Sequence, residues 1–352
     1  MVDVDYAYLN ARIRGMKGRL LPESMYESLI IKPDIESVIT ELGSTSYKEE
    51  IERASVQFSG ITCIEVALRR DLTEAFRKIM MHTKGEDDEK YIRIILNRWD
   101  VQNIKTVLRG KNIHATPVEI HDCLVPAGRL DDTTLVELIK QPDVKAVIDL
   151  LATWGIEYAK PLTRSYKDYS EIRDLSLLEY ALDKYYFENA LSLVKDDSYD
   201  DRIVREMVTT EIDVTNLKSA FKIITDRTET EGAEKYFIKG GYALNIESLL
   251  SLLKAGTLDG AMKQLAMTPY EFLAKLPDDT LRGEKVSVIE KALDDYLIRK
   301  GISRFLGDPL SIAMTIGYFW AKFRETVNLR IIARMKTGDV PEKELRESLI
   351  YV

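Results

Sequence analysis

The chain reads Asp100-Val101-Gln102-Asn103-Ile104-Lys105 in its first third, and it repeats this motif twice. The later copies are Asp213-Val214-Thr215-Asn216-Leu217-Lys218 and Glu325-Thr326-Val327-Asn328-Leu329-Arg330. The asparagines are 113 and then 112 residues apart. In each copy of this Asn motif, the acid and the asparagine are three positions apart, which puts both side chains on one face of a helix. We expect the asparagine to hydrogen-bond a backbone group where its helix meets another element.

A second motif recurs at the same interval. This Glu motif reads Ile64-Glu65-Val66-Ala67-Leu68, then Leu178-Glu179-Tyr180-Ala181-Leu182, then Ile289-Glu290-Lys291-Ala292-Leu293. The glutamate precedes the asparagine of its copy by 38, 37 and 38 residues. Two motifs that keep register over a whole copy indicate a unit present three times. We place the three units at 1–117, 118–230 and 231–352.

The two ends of the chain carry overlapping partial copies. Pro341 to Ile350 is similar to Pro22 to Ile30, and Asn10 to Lys17 is similar to Asn328 to Met335. This is the pattern expected if three units close into a ring and the C-terminal tail of the third unit completes the closure.

Apolar residues at spacings of three and four predict helices throughout, and no alternating run requires a sheet. A repeat of about 112 residues is longer than the roughly 20–50 residues of known solenoid repeats, so each copy is expected to be a small helical domain. The sequence therefore predicts an all-α fold. Four glycines are predicted to end helices, namely Gly43, Gly110, Gly155 and Gly338.

Composition excludes several classes of protein. The net charge of −8 argues against broad nucleic-acid binding. The longest apolar run, near Leu310 to Ala321, is shorter than the roughly 20 residues of a membrane span, so we expect no direct lipid insertion. Two cysteines without a CxxC pair predict no disulfide framework.

The sequence contains no recognisable motif for nucleotide binding, metal binding or catalysis. It contains neither GxxxxGK[ST] nor GxGxxG. His114, His121 and Cys123 lack a fourth ligand at a standard spacing, so we predict no metal and no cofactor. The acids of the Asn motif occur three times in equivalent contexts, which one active site cannot use, and this favours a structural role. An all-α enzyme with a carboxylate-rich cleft and a cytosolic helical adaptor remain alternative interpretations.

Together these motifs resemble the C subunit of the archaeal and bacterial A/V-type rotary ATPases, which is homologous to the d subunit of the eukaryotic vacuolar enzyme. The resemblance covers essentially the whole chain and is most specific at 10–21, 99–110 and 317–330, followed by Val340-Pro341-Glu342. The second copy departs most, because Glu211-Ile212 stands where the first copy has Arg98-Trp99. This difference puts identical roles for the three copies in doubt.

The resemblance implies a funnel-shaped protein of three similar helical units around a pseudo-threefold axis. It implies a non-catalytic rotor subunit at the cytoplasmic face of the membrane, peripheral to it, in a complex that transports protons or sodium ions. Its partners would be central-stalk subunits of the D and F type on the concave side and the membrane proteolipid ring on the other side.

The N-terminal helix carries four cations on an otherwise acidic chain, and they are candidates for binding the stalk: Arg12, Arg14, Lys17 and Arg19. A second group of cations follows near the C-terminus, from Lys322 to Lys336. The alternative interpretation is that these cations neutralise internal acids such as Glu325 or stabilise helix C-termini.

Overall fold

The computed structural model describes residues 6–83, 86–195, 198–227, 231–277, 286–338 and 340–351. Every regular element within these ranges is a helix, so the prediction of an all-α fold is confirmed. Besides three short 3-10 helices, they are α1 (Ala7–Lys17), α2 (Glu23–Ile30), α3 (Ile35–Leu42), α4 (Lys48–Ser55), α5 (Gly60–Met81), α6 (Glu86–Asn112), α7 (Pro117–Asp122), α8 (Asp132–Ile139), α9 (Val144–Thr153), α10 (Ala159–Ile172), α11 (Ser176–Leu193), α12 (Tyr199–Asp226), α13 (Ile246–Lys254), α14 (Leu258–Gln264), α15 (Val286–Ile302), α16 (Ala313–Thr337) and α17 (Glu342–Ser348).

The same kind of N-cap starts a short helix in each copy of the repeat. Asp34 begins α3 by accepting a hydrogen bond from the Ser37 amide, and Asp143 begins α9 in the same way. Thr257 does this for α14 with the Gly260 amide. A cap of this kind satisfies one of the amides left free at a helix N-terminus. Local sequence therefore sets these three helix boundaries.

The glycines predicted to end helices have mixed outcomes. Gly43 and Gly338 are the C-cap residues of α3 and α16, and Gly155 follows the C-cap of α9 in the left-handed conformation. The prediction for Gly110 was wrong, because α6 continues to Asn112. Gly110 is needed for space instead: a Cβ there would lie 2.4 Å from Cγ1 of Ile120.

One compact unit, unit 1, comprises Met1–Leu182 and Gly301–Val352. Its core includes Leu29, Leu42, Leu68 and Leu329, which are all buried. Helix α5 packs against α4 and α16, and α1 also packs against α16. Roughly the first 70 residues and the C-terminal end of the chain therefore share one core.

The other compact unit, unit 2, comprises Asp183–Lys300. Its long helix α12 packs against α13 and α14. The leucines of the Glu motif, Leu68, Leu182 and Leu293, are all buried. The division into 1–117, 118–230 and 231–352 follows the sequence repeat rather than compactness, and it stays a prediction.

Candidate functional site

The three asparagines of the Asn motif make the same pair of hydrogen bonds. The Asn103 side chain donates to the Val125 carbonyl at 2.7 Å and accepts from the Val125 amide at 2.9 Å. Asn216 does this with Ile238, and Asn328 does it with Ile350. In each case the partner lies 22 residues after the asparagine. We call this arrangement the asparagine clasp: a buried amide that holds a returning segment of chain against the motif helix.

The acid of the Asn motif holds a second point on a returning segment. Asp100 accepts hydrogen bonds from the amides of Arg129 and Leu130, both at 2.9 Å. Asp213 accepts from the amides of Ala243 and Leu244, at 2.7 and 3.3 Å. Both carboxylates are buried. Each of these two copies therefore fixes its segment with the acid and the asparagine together.

A glycine faces each of these two aspartates. A Cβ on Gly128 would lie 2.1 Å from Oδ1 of Asp100, and one on Gly241 would lie 2.0 Å from Oδ1 of Asp213. Burial raises the pKa of Asp100 to about 6, although the two backbone amides act in the opposite direction. Burial also raises the pKa of Asp213 to about 6. The ionised carboxylate is the form that accepts hydrogen bonds at both oxygens.

The third acid, Glu325, connects the C-terminal helix α16 to the N-terminal part of the chain within unit 1. Its Oε2 accepts from the Leu21 amide at 2.5 Å, and its Oε1 accepts from the Tyr47 hydroxyl at 2.7 Å. The Lys322 ammonium lies 2.7 Å from Glu325 Oε1 and 2.5 Å from Asp71 Oδ2. These contacts join residues up to 304 positions apart in the sequence.

The Lys322 ammonium is held by the charges around it. Burial alone acts to lower the pKa of Lys322, but the carboxylates of Glu325 and Asp71 outweigh burial and raise it. Burial also raises the pKa of Asp71, against the effect of Lys322. A buried ion pair of this kind is strongly destabilised when one partner is removed, because the other charge is left uncompensated.

Two buried tyrosines also donate hydrogen bonds to acids of the Asn motif, and these contacts were not predicted from the sequence. Tyr47 donates to Glu325, and Tyr270 donates to Oδ2 of Asp213 at 2.8 Å. The signal is present as a repeated Thr-x-Tyr. The amides of Tyr47 and Tyr270 each donate at 3.2 Å to the threonine two residues earlier, Thr45 or Thr268.

The glutamates of the Glu motif differ among the copies. Glu65 pairs with Arg334 at 2.9 Å, and Glu179 pairs with Arg109 at 2.6 Å. Glu290 makes no ion pair with a residue that the structure describes; four residues later, Asp294 pairs with Lys218 at 2.7 Å. The motif therefore keeps a charged contact on this helix face in each copy, but not at the same position.

The structure separates the four N-terminal cations. The prediction that one helix carries all of them was wrong for Arg19, because α1 ends at Lys17. Arg12 and Arg14 are exposed, and neither has an ion-pair partner among the described residues. Lys17 lies 3.8 Å from the centre of the Phe305 ring. Arg19 differs from the other three because it lines a cavity of unit 1.

This cavity has a volume of about 740 Å³ and a charged wall. Many of its acidic side chains are paired with basic ones: Glu49 and Glu50 with Arg53, Glu74 with Lys78, and Asp71 with Lys322. The basic side chains without a carboxylate within 4 Å among the described residues are Arg19, Arg69 and Arg70. The cavity therefore presents guanidinium groups that can receive an anionic group.

Membrane spans and metal clusters are both absent from the part of the chain that the structure describes. None of its helices combines the length and the apolarity that a membrane crossing requires. Within the same ranges, no group of three His, Cys, Asp or Glu side chains is arranged to hold a metal ion.

A family model described as ATP synthase (C/AC39) subunit matches residues 9–348. The chain belongs to this family. Its members are accessory subunits of the rotary ATP synthase, so the chain is not the catalytic part of such a complex.

Individual relatives extend over nearly the whole chain. The C subunit of the A-type ATP synthase of Methanocaldococcus jannaschii is 29% identical over 98% of this chain and 86% of its own length. The protein of the same name from Methanococcoides burtonii is 30% identical over 98% of this chain and 94% of its own length. That of Archaeoglobus fulgidus is 28% identical over 99% and 96%.

Proposed function

We propose that this C/AC39-family chain is a rotor subunit that couples the central stalk to the membrane proteolipid ring of an A-type ATP synthase. The observation that carries the proposal is the family match over residues 9–348. In this proposal the chain lies at the cytoplasmic face of the membrane, peripheral to it, and carries torque for proton or sodium transport without catalysing a reaction itself.

A torque-carrying subunit has to be stiff, and the clasps supply stiffness at defined points. Each clasp holds a backbone segment by two hydrogen bonds from a buried amide, and in the first two copies the neighbouring aspartate adds contacts to the returning segment. Glu325 extends this to the chain ends, because it holds Leu21 and Tyr47 from α16. Close-packed interiors with directional hydrogen bonds transmit strain with little deformation.

The repeated clasp also supports the proposed arrangement in three units around a pseudo-threefold axis. Asn103, Asn216 and Asn328 use the same separation of 22 residues to their partners. In a closed ring the clasps of Asn103 and Asn216 would each join one repeat copy to the next, and the Glu325 contacts to Leu21 and Tyr47 would be the closing junction. The C-terminal tail takes part through Ile350.

We propose that the stalk docks at the cavity of unit 1. Arg19 extends the basic face of α1 into this cavity, where Arg69 and Arg70 add two more guanidiniums. An acidic stalk tip of the D or F type would be attracted there, and screening by salt would weaken the attraction. Arg12, Arg14 and Lys17 would guide the approach from the exposed face of α1.

The alternative of an enzyme with a carboxylate-rich cleft finds its nearest counterpart in the same cavity, which contains Glu49, Glu50 and Glu74. General acid-base catalysis requires a pair of carboxyls with different environments. Here each of the three carboxylates forms an ion pair with a neighbouring arginine or lysine. This favours a structural role.

The proposal is tested by affinity purification of the tagged chain from native membranes under mild detergent. We expect central-stalk and proteolipid subunits to co-purify in fixed ratio. Recovery of the chain alone supports the enzyme, and recovery with unrelated proteins supports the cytosolic adaptor; either result overturns the proposal.

A further inference from the structure

The repeat allows equivalent positions in different copies to be compared. At one pair of positions, one copy has a base and an acid, and another copy has two bases. In unit 2, Lys218 stands two residues after Asn216, and Asp294 stands four residues after Glu290. The Lys218 ammonium lies 2.7 Å from Oδ1 of Asp294. At this position the repeat therefore joins a cation on the Asn-motif helix to a carboxylate on the Glu-motif helix.

In unit 1 the same two repeat positions hold Arg330, two residues after Asn328, and Arg69, four residues after Glu65. Helices α16 and α5 run antiparallel here, because Arg334 contacts Glu65 while Phe319 contacts Phe76. Arg330 is one turn before Arg334, and Arg69 is one turn after Glu65. The two arginines therefore face each other where unit 2 has a lysine and an aspartate.

Arg69 is buried and Arg330 is partly buried, and both guanidiniums have few acceptors among the described residues. Arg69 is nine-tenths buried and donates through Nη1 to the His121 carbonyl at 2.6 Å. The Nε of Arg330 is inaccessible to water and has no acceptor among the described residues. A guanidinium carries five N–H donors, so most of those on this pair are available to a ligand.

The acids near this pair do not replace the missing carboxylate. Glu65, Asp122 and Asp132 act on the arginines electrostatically, but none lies within 4 Å of either guanidinium among the described contacts. Glu65 is paired with Arg334, and Asp132 contacts His121. Burial lowers the pKa of both Arg69 and Arg330, which is the direction expected for cations that lack a close counter-ion.

We propose that Arg69 and Arg330 form an oxyanion-binding site that takes a carboxylate or phosphate group. Two planar guanidiniums match the geometry of these groups through paired N–H donors. The anion would take the place that Asp294 occupies opposite Lys218 in unit 2. It would enter through the cavity of unit 1, because Arg69 lines that cavity. This inference does not depend on the proposed rotor function.

The test is thermal unfolding of the full-length chain in increasing inorganic phosphate or, separately, acetate, with ionic strength held constant by sodium chloride. We expect a saturable rise in Tm with at least one of these anions. A response to phosphate alone identifies a phosphate-type ligand, and a response to acetate identifies a carboxylate, as an acidic side chain of a partner would provide. Either response supports the site if the variants below lose it.

Arg69→Asp restores the arrangement of unit 2, so this variant should lose the saturable rise. Arg330→Gln removes one charged donor group, and it should weaken the apparent affinity about tenfold or more. Lys218→Gln is the matched control: it removes the equivalent cation in unit 2 and should keep the wild-type response.

Two results would overturn the proposal. One is a wild-type Tm that shows no saturable rise with either anion, which would mean that the two arginines bind neither of them. The other is an equal rise in Tm in wild type, Arg69→Asp and Arg330→Gln. Such a rise would be the general stabilisation of a folded protein by these salts, without binding at the two arginines. Circular dichroism establishes that each variant is folded; if Arg69→Asp does not fold, Arg330→Gln and titration calorimetry of wild type with phosphate and acetate decide.

Discussion

Replacing Asn103 by alanine should destabilise unit 1 by about 2–4 kcal/mol. The change removes two hydrogen bonds and leaves the buried Val125 amide without a partner, whereas the Val125 carbonyl still accepts from the Ala127 amide at 2.8 Å. The unsatisfied buried amide costs roughly 1–3 kcal/mol, and the loss of the second hydrogen bond adds roughly 0.5–1.5 kcal/mol. Some relaxation or entry of water offsets part of this cost, so the expected total lies below the sum of the two maxima.

Asn103→Asp separates the hydrogen bonds from the volume of the side chain. The carboxylate still accepts from the Val125 amide, but its second oxygen faces the Val125 carbonyl, where the wild-type side chain donates. We therefore expect Asn103→Asp to cost at least as much as Asn103→Ala, although it creates no cavity. Gln102→Ala is the matched control, because Gln102 is the exposed neighbour on α6 and its replacement should change stability by less than about 0.5 kcal/mol.

The assay is urea unfolding, followed by tryptophan fluorescence and by circular dichroism. The chain has two compact units, so the two signals need not coincide, and each transition is fitted separately. A loss below about 1 kcal/mol in Asn103→Ala, or a loss equal to that of Gln102→Ala, would refute the clasp as a source of stability.

Three further predictions concern the repeated leucines, Asp213 and the exposed arginines of α1. Leu68→Ala, Leu182→Ala and Leu293→Ala should each cost roughly 2–5 kcal/mol in urea unfolding, since all three side chains are buried; a loss near zero at any one would contradict their equivalence. The pKa of Asp213 is raised to about 6 from 3.8, so the folded chain binds more protons than the unfolded chain between these values, and this carboxyl lowers stability as pH rises from about 4 to above 6. Tm measured against pH should therefore fall less steeply, or rise more steeply, over this window in Asp213→Asn than in wild type, and an unchanged slope would count against the assignment. Reversing Arg12 and Arg14 to glutamate should slow association with the stalk at low salt but not at high salt, whereas the same charge change at the exposed Lys239 and Lys254 should not; equal rates in all variants would leave Arg12 and Arg14 without a role in docking.

The features that could be predicted from the sequence are the helices, which depend on local residue patterns, and the contacts that recur in each copy of the repeat. Helical periodicity gave the all-α class, and the triplicated Asn motif singled out Asn103, Asn216 and Asn328, which form equivalent hydrogen bonds in the structure. This succeeded because a buried amide that bonds a backbone segment constrains the sequence in the same way each time it is copied.

Other features depend on contacts between distant residues that no local pattern encodes. The partners of Glu325 are the Leu21 amide and Tyr47, and neither could be paired with it by spacing. The cavity brings Arg19 together with Lys322 only after the two chain ends meet in unit 1. Glu290 shows that a repeated motif does not guarantee a repeated contact. The motif is present in this copy, but Asp294 makes the ion pair on that helix face.

The exchange of Asp294 for Arg69 can be found in the sequence by aligning the copies in register. Shared residues alone do not reveal it, because it is a difference between copies. The difference becomes informative only once the structure sets Arg69 opposite Arg330 on the antiparallel helices α5 and α16.

The most direct test of the rotor proposal is native mass spectrometry of three purified components: this chain, the central-stalk subunits and the detergent-solubilised proteolipid ring. We expect one complex that contains all three, and no complex of stalk and ring when this chain is omitted. A stalk–ring complex that forms equally well without the chain, or a chain that binds neither partner, would contradict it.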